Sequence, residues 1–127
     1  MNVGTKGEIF FINWCIQHNL AISLPYGGMQ EYDVIVDNGT RLFRVQVKTV
    51  GDGAIRKNGF RLRLGPRHGK KWKYTRVDLF AVCLYKTGLL YIIPADEVTS
   101  TYSALNPYSP TSKYRKYLVA GIPDCMK

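Results

Sequence analysis

The sequence predicts an α/β fold: a single domain with a mixed central β-sheet flanked by helices. Three observations predict it. The chain opens with apolar residues at helical spacing, hairpin turns follow at Asn38-Gly39 and Thr87-Gly88, and the run Leu79–Leu84 is apolar without a break. Alternation marks a strand with one wet face, and an unbroken apolar run marks a strand covered on both faces. A chain of 127 residues can bury one core and little else.

Thr5 with Glu8 three residues later fits a capping box, in which hydroxyl and carboxylate satisfy free backbone N–H groups. Ile9, Ile12 and Ile16 then recur on one helical face, broadened by Phe11 and Trp14, and His18-Asn19 ends the helix. Ala21–Leu24 is a short apolar run closed by Pro25, and Tyr26-Gly27-Gly28 reads as a turn. Tyr32–Asp37 and Arg41–Val50 alternate as strands around Asn38-Gly39, which tolerates the positive φ of a two-residue hairpin turn. Phe60–Leu64 is a short strand with Arg61 and Arg63 on its polar side, and Leu79–Tyr85 pairs with Leu89–Ile93 across Thr87-Gly88. From Pro94 to Val98 the chain reads as a first helical turn, with Asp96 and Glu97 near the positive dipole end. Thr99–Ser112, rich in Ser, Thr, Tyr and Pro, reads as a loop. No repeat or linker divides residues 1–127; the core is expected over about 4–98, with a C-terminal extension over 99–127.

Charge is the outlying property. Eighteen Lys and Arg stand against nine Asp and Glu, and nine of the eighteen fall between Arg56 and Arg76 with no carboxylate among them. They are Arg56, Lys57, Arg61, Arg63, Arg67, Lys70, Lys71, Lys73 and Arg76; the rest of the chain is neutral. Such a segment points to a polyanionic partner, with nucleic acid foremost. The alternative is a solvated charged face. No apolar run approaches the ~18–20 residues of a membrane span. The N-terminus does not read as a signal peptide. Three scattered cysteines fit a reducing cytoplasm or nucleoid rather than secretion. Cys15, Cys83, Cys125, His18 and His68 contain no close ligand pair, which argues against zinc.

A two-residue turn at Asn38-Gly39 pairs Asp37 with Thr40 and Asp33 with Arg44, which places Asp33, Gln46 and Lys48 on one face. Asp33 and Gln46 are then diagonal neighbours about 7–8 Å apart at Cα, a gap that a metal ion between two side-chain oxygens fits. Lys48 is one pleat further on, within reach of a water or phosphate held there. A merely solvent-exposed polar face fits the same periodicity.

At these residues the sequence resembles the PD-(D/E)XK nuclease superfamily, in which a Glu-bearing helix precedes an Asp on one strand and (E/Q)-x-K on the next. The corresponding pieces are Gly7-Glu8, Tyr32-Asp33 and Gln46-Val47-Lys48. The stretches from Lys6 to Glu8, Pro25 to Gly27, Tyr32 to Asp37 and Arg44 to Thr49 are similar to a group I intron homing endonuclease branch. That branch is itself similar to archaeal Holliday junction resolvases. The resemblance implies Asp33, Gln46, the Val47 carbonyl and Glu8 as metal ligands, with Lys48 orienting or helping to deprotonate the attacking water. For Glu8 the capping role stays open beside it. Gln46 stands where most members carry Glu, so the site has one negative charge fewer and is expected to hold Mg²⁺ less tightly. Asp78 reads as structural, a cap or a partner of Arg76.

The expected function is a metal-dependent, sequence-specific DNA endonuclease using Mg²⁺, with Mn²⁺ able to substitute. Its DNA contacts are expected at Arg56, Lys57, Arg61, Arg63, Arg67, Lys70, Lys71 and Lys73. Cutting both strands of double-stranded DNA needs two sites, so a homodimer or homotetramer is expected. The alternatives are a Holliday junction resolvase and a catalytically inactive DNA-binding module.

Overall fold

Asn2 starts the first helix. In the computed structural model, which describes residues 1–51, 59–66 and 74–127, α1 runs Val3–Gln17 and the Asn2 side chain accepts a 2.8 Å hydrogen bond from the Thr5 N–H. This corrects the expected capping box. The helix begins before Thr5, so Glu8 lies in its second turn, beyond the free N–H groups that a cap satisfies. The expected apolar face is corrected as well. Gly7, Phe11 and Cys15 are the buried positions, whereas Ile9 and Ile16 are 49% and 59% exposed. The helix is apolar nearly all round, so periodicity alone did not choose its inner face; contact with the sheet did.

Among the described residues seven strands follow: β1 Ala21–Ser23, β2 Val34–Asp37, β3 Leu42–Thr49, β4 Phe60–Arg63, β5 Leu79–Leu84, β6 Leu89–Pro94 and β7 Tyr102–Leu105. Five form the central sheet in the order β1-β2-β3-β5-β6, with β3 and β5 parallel and the other neighbours antiparallel. Parallel neighbours need a crossover, and here the crossover carries β4. That strand leaves the central sheet and pairs antiparallel with β7 in a sheet of two. The loop expected over Thr99–Ser112 is thus corrected at Tyr102–Leu105, where Ser103 and Leu105 point inward and Tyr102 and Ala104 outward. The Ser/Thr/Pro-rich composition around these four residues hid their period of two.

The β2–β3 turn also differs from expectation. Asp37 pairs with Leu42 rather than Thr40, so the loop has four residues. Asn38 Oδ1 builds it by accepting from the Thr40 N–H, the Arg41 N–H and the Thr40 hydroxyl at 2.9, 2.8 and 3.0 Å, around Gly39 at φ 96°. The register is shifted by two residues. An even shift leaves every side chain on its expected face.

Each face of the sheet buries a core. α1 covers Val34, Val36, Phe43, Val45 and Ala81, and Met126 from the end of the chain joins them. Phe80, Val82 and Tyr91 on the opposite face pack with Phe60 of β4 and Leu105 of β7. β5 is buried at all six positions, as its unbroken apolar run predicts. Helix therefore flanks one face and the small sheet covers the other. Among the described residues the remaining helical pieces are single 3-10 turns, including Ala95–Glu97 where a helix was expected. No described helix is long and apolar enough to cross a membrane.

Candidate active site

β2 and β3 are paired only as far as Val34 and Val45, while β3 continues to Thr49. The backbone of β3 beyond Val45 would lack a partner on that side. Asp33 supplies one: its N–H donates to the Val45 carbonyl at 2.8 Å, and its Oδ2 accepts from the Val47 N–H at 2.8 Å. The carboxylate is thereby fixed at the point where β2 gives out. The Val47 side chain enters the α1-side core, and its carbonyl lies on the same strand edge as its N–H.

Glu8 reaches this point from the α1 side. Gly7 allows it, because a Cβ there would overlap Thr49 Oγ1 at the end of β3. Glu8 and Asp33 line one cavity of about 280 Å³ together with Pro25, Gln30 and Tyr32. Both carboxyl groups are pushed above their ordinary range. For Glu8 the causes are burial and then the Asp33 charge; for Asp33 burial dominates, opposed by the Val47 N–H and the Lys48 charge. Two desolvated carboxylates that repel each other favour a cation between them.

Gln46 and Lys48 approach from the opposite face, the one that packs on β4 and β7. Gln46 Nε2 donates to the Glu31 carbonyl, which fixes the amide. Lys48 Nζ donates to Tyr74 Oη at 3.5 Å and lies 5.4 Å from that ring's centroid. Glu31 Oε1 in turn accepts from the backbone N–H groups of Thr75 and Arg76 at 3.0 and 2.7 Å. Sequence reasoning missed Glu31 and Tyr74 as parts of this surround. Their one signal is that Glu31 adjoins Tyr32-Asp33; the rest is long-range contact.

Of the four side chains singled out from sequence, Glu8 and Asp33 thus share one cavity and the Lys48 charge acts on Asp33, whereas the Gln46 amide is held on the Glu31 carbonyl at the opposite face. Among the described residues no group of three or more His, Cys, Asp and Glu is arranged to hold a metal. A hard cation here would draw on two carboxylates, an amide oxygen and a backbone carbonyl, oxygen donors of the kind it prefers. Asp78 is structural, with Arg44 as partner instead of Arg76: Oδ2 accepts from Arg44 Nε at 3.1 Å and Oδ1 from Nη2 at 3.1 Å. Of the expected DNA contacts, Arg61 is exposed with its guanidinium 5.0 Å from the Tyr102 ring centroid, and Arg63 is half-buried. Arg56, Lys57, Arg67, Lys70, Lys71 and Lys73 lie outside the described residues.

The family model described as PD-(D/E)XK endonuclease matches residues 2–112. A solved structure titled as that of a bacterial homing endonuclease, I-Ssp6803I, superposes with a TM-score of 0.71 at 19% identity, over 91% of this chain and 86% of that one. No curated protein matches.

Proposed function

Since the chain belongs to the PD-(D/E)XK endonuclease family, we propose that it is a Mg²⁺-dependent, sequence-specific endonuclease of double-stranded DNA with Glu8, Asp33, Gln46 and Lys48 as its active site. One observation carries this reading: the Asp33 carboxylate, anchored on the Val47 N–H, brings the end of β2, the Gln46-Val47-Lys48 segment and the Glu8 helix to a single point. The structural likeness to a homing endonuclease supports the fold on which the reading rests.

Asp33, Glu8, the Gln46 amide oxygen and the Val47 carbonyl would hold Mg²⁺, or Mn²⁺ in its place. Bound there, the ion supplies an acidified water and a clamp on the scissile phosphate. Asp33 Oδ2 is engaged by the backbone, so the carboxylate keeps one orientation. Gln46 is oriented by the Glu31 carbonyl in the same way. Lys48 presents an ammonium to the reacting phosphate, where it orients the water and offsets charge developing on the phosphoryl oxygens. The basic segment draws the DNA backbone to the site. Each chain carries one such site, so cutting both strands calls for a homodimer or homotetramer.

The test is cleavage of a linear duplex library with and without Mg²⁺. Asp33→Asn and Lys48→Ala are each expected to reduce cleavage to background while DNA binding stays within a few-fold. Substantial cleavage by both variants would overturn the site. A four-way junction cut in preference to linear duplex would identify a resolvase. Binding without cleavage under any divalent ion would leave a DNA-binding module.

A further inference from the structure

Tyr74 stands between Lys48 and the core on the β4/β7 face. Its ring packs against Phe80 with centroids 5.9 Å apart, which ties it to the fully buried β5. Its outer end meets Lys48 twice, through the 3.5 Å contact from Nζ to the hydroxyl and through the ring face at 5.4 Å. A lysine ammonium rides on four flexible carbons, so one that must stand beside a reacting phosphate needs a restraint from outside its own strand. An aromatic face and a hydroxyl on one rigid ring give that restraint a direction. The phenol is raised by burial, with the nearby Arg63 charge opposing the rise. It therefore stays protonated at neutral pH and presents a neutral oxygen to the ammonium. Among the described residues Arg63 Nε is buried without a hydrogen-bond partner, and its charge acts on the Tyr74 phenol.

We propose that Tyr74 is a positioning residue whose hydroxyl and ring hold the Lys48 ammonium where the scissile phosphate sits. The proposal rests on the reading of Lys48 as part of the nuclease site. In this role Tyr74 acts through Lys48. Removing the hydroxyl leaves the packing on Phe80 and the ring face in place and takes away one directional contact on the ammonium. Loss of orientation then appears in the chemical step and leaves substrate binding unchanged.

The experiment compares wild type, Tyr74→Phe, Tyr74→Leu and Lys48→Ala in steady-state cleavage of the cognate duplex, together with DNA affinity and melting temperature. Tyr74→Phe is expected to lower kcat about tenfold, with KM, DNA affinity and melting temperature unchanged. Tyr74→Leu, lacking the ring face as well, is expected to lower kcat further. A Tyr74→Phe enzyme with wild-type kcat, beside an inactive Lys48→Ala, would overturn this inference alone. So would a fall in kcat matched by an equal loss of affinity or of melting temperature. Retained cleavage by Lys48→Ala would overturn the reading of the site and the inference together.

Discussion

Gly7 of α1 and Thr49 of β3 are packed so closely that a Cβ on Gly7 would overlap Thr49 Oγ1 and come within 2.6 Å of Thr49 Cβ. This contact sets the height of the helix over the sheet and so carries Glu8 to the cavity it shares with Asp33. Gly7→Ala is expected to destabilise the fold by about 1–3 kcal/mol through overpacking and to reduce cleavage more than DNA binding. Thr49→Ala in the same chain should recover part of both losses by removing Oγ1 and Cγ2, two of the three atoms in the way. Thermal unfolding and a cleavage assay check this. An unchanged melting temperature in Gly7→Ala would show that the helix lifts without cost.

Glu8 and Asp33 are both held above the usual carboxylate range, so ionising them costs folding stability as pH rises through their folded values. A divalent cation removes that cost. Added Mg²⁺ should raise the melting temperature at neutral pH, and Asp33→Asn should lose this increment without losing metal-free stability. Gln46→Ala should weaken the increment. Gln46→Glu adds a charge for the metal but turns a carboxylate oxygen toward the Glu31 carbonyl in place of the present donor. Its metal-free form is therefore expected to be less stable by about 1–3 kcal/mol while its metal dependence shifts. Calorimetric titration with Mg²⁺ and Mn²⁺ reads all three variants, and wild-type curves for both Gln46 variants would remove Gln46 from the ligand set.

Asp78 behaves in the opposite sense. The Arg44 side chain, with burial opposing it and the Arg44 backbone N–H assisting, holds its carboxyl below the usual range. A folded pKa below the unfolded one gives stability that is present above the unfolded value and lost as pH falls through the folded value. Asp78→Asn should therefore cost about 1 kcal/mol near neutral pH, a figure kept small because the pair is partly exposed and screened. The gap from wild type should close in acid. Melting curves from about pH 7 to pH 2 follow it across the carboxylate range, and a gap independent of pH would assign the loss to something other than the ion pair.

For the basic segment, phosphate contacts act through counterion release and base contacts through discrimination. Lys70→Ala with Lys71→Ala should weaken binding to every duplex and flatten the salt dependence by about two units of slope. Arg61 is exposed on β4 with its guanidinium over Tyr102 and is a residue expected from sequence to read bases. Arg61→Ala should lower the preference for cognate over random duplex by about 1–3 kcal/mol. Binding of each variant across a salt series separates the two roles. An unchanged slope in the lysine variant would make the segment a solvated face.

The strand that follows Asp33 and the one that bears Gln46-Val47-Lys48 were legible in the sequence because alternation and a hairpin dipeptide act over a few residues. The parity of the β2–β3 pairing survived a turn that proved two residues longer, since an even shift leaves it unchanged, but Asp33 itself lies just outside β2, at the strand end. The β5 run was legible for the same local reason: a strand buried on both faces must be apolar throughout. Other features had no local signature. Which side of α1 faces inward was decided by Gly7 meeting Thr49, a contact across 42 positions of the sequence. β7 gained its partner from β4, Glu31 reached the N–H groups of Thr75 and Arg76, and Tyr74 came to Lys48 only once the crossover closed. Periodicity reports how a residue sits on its own element. The partner it meets is chosen by packing between distant elements, and at this site that packing supplies the Tyr74 contact on Lys48 and the cavity that Glu8 shares with Asp33.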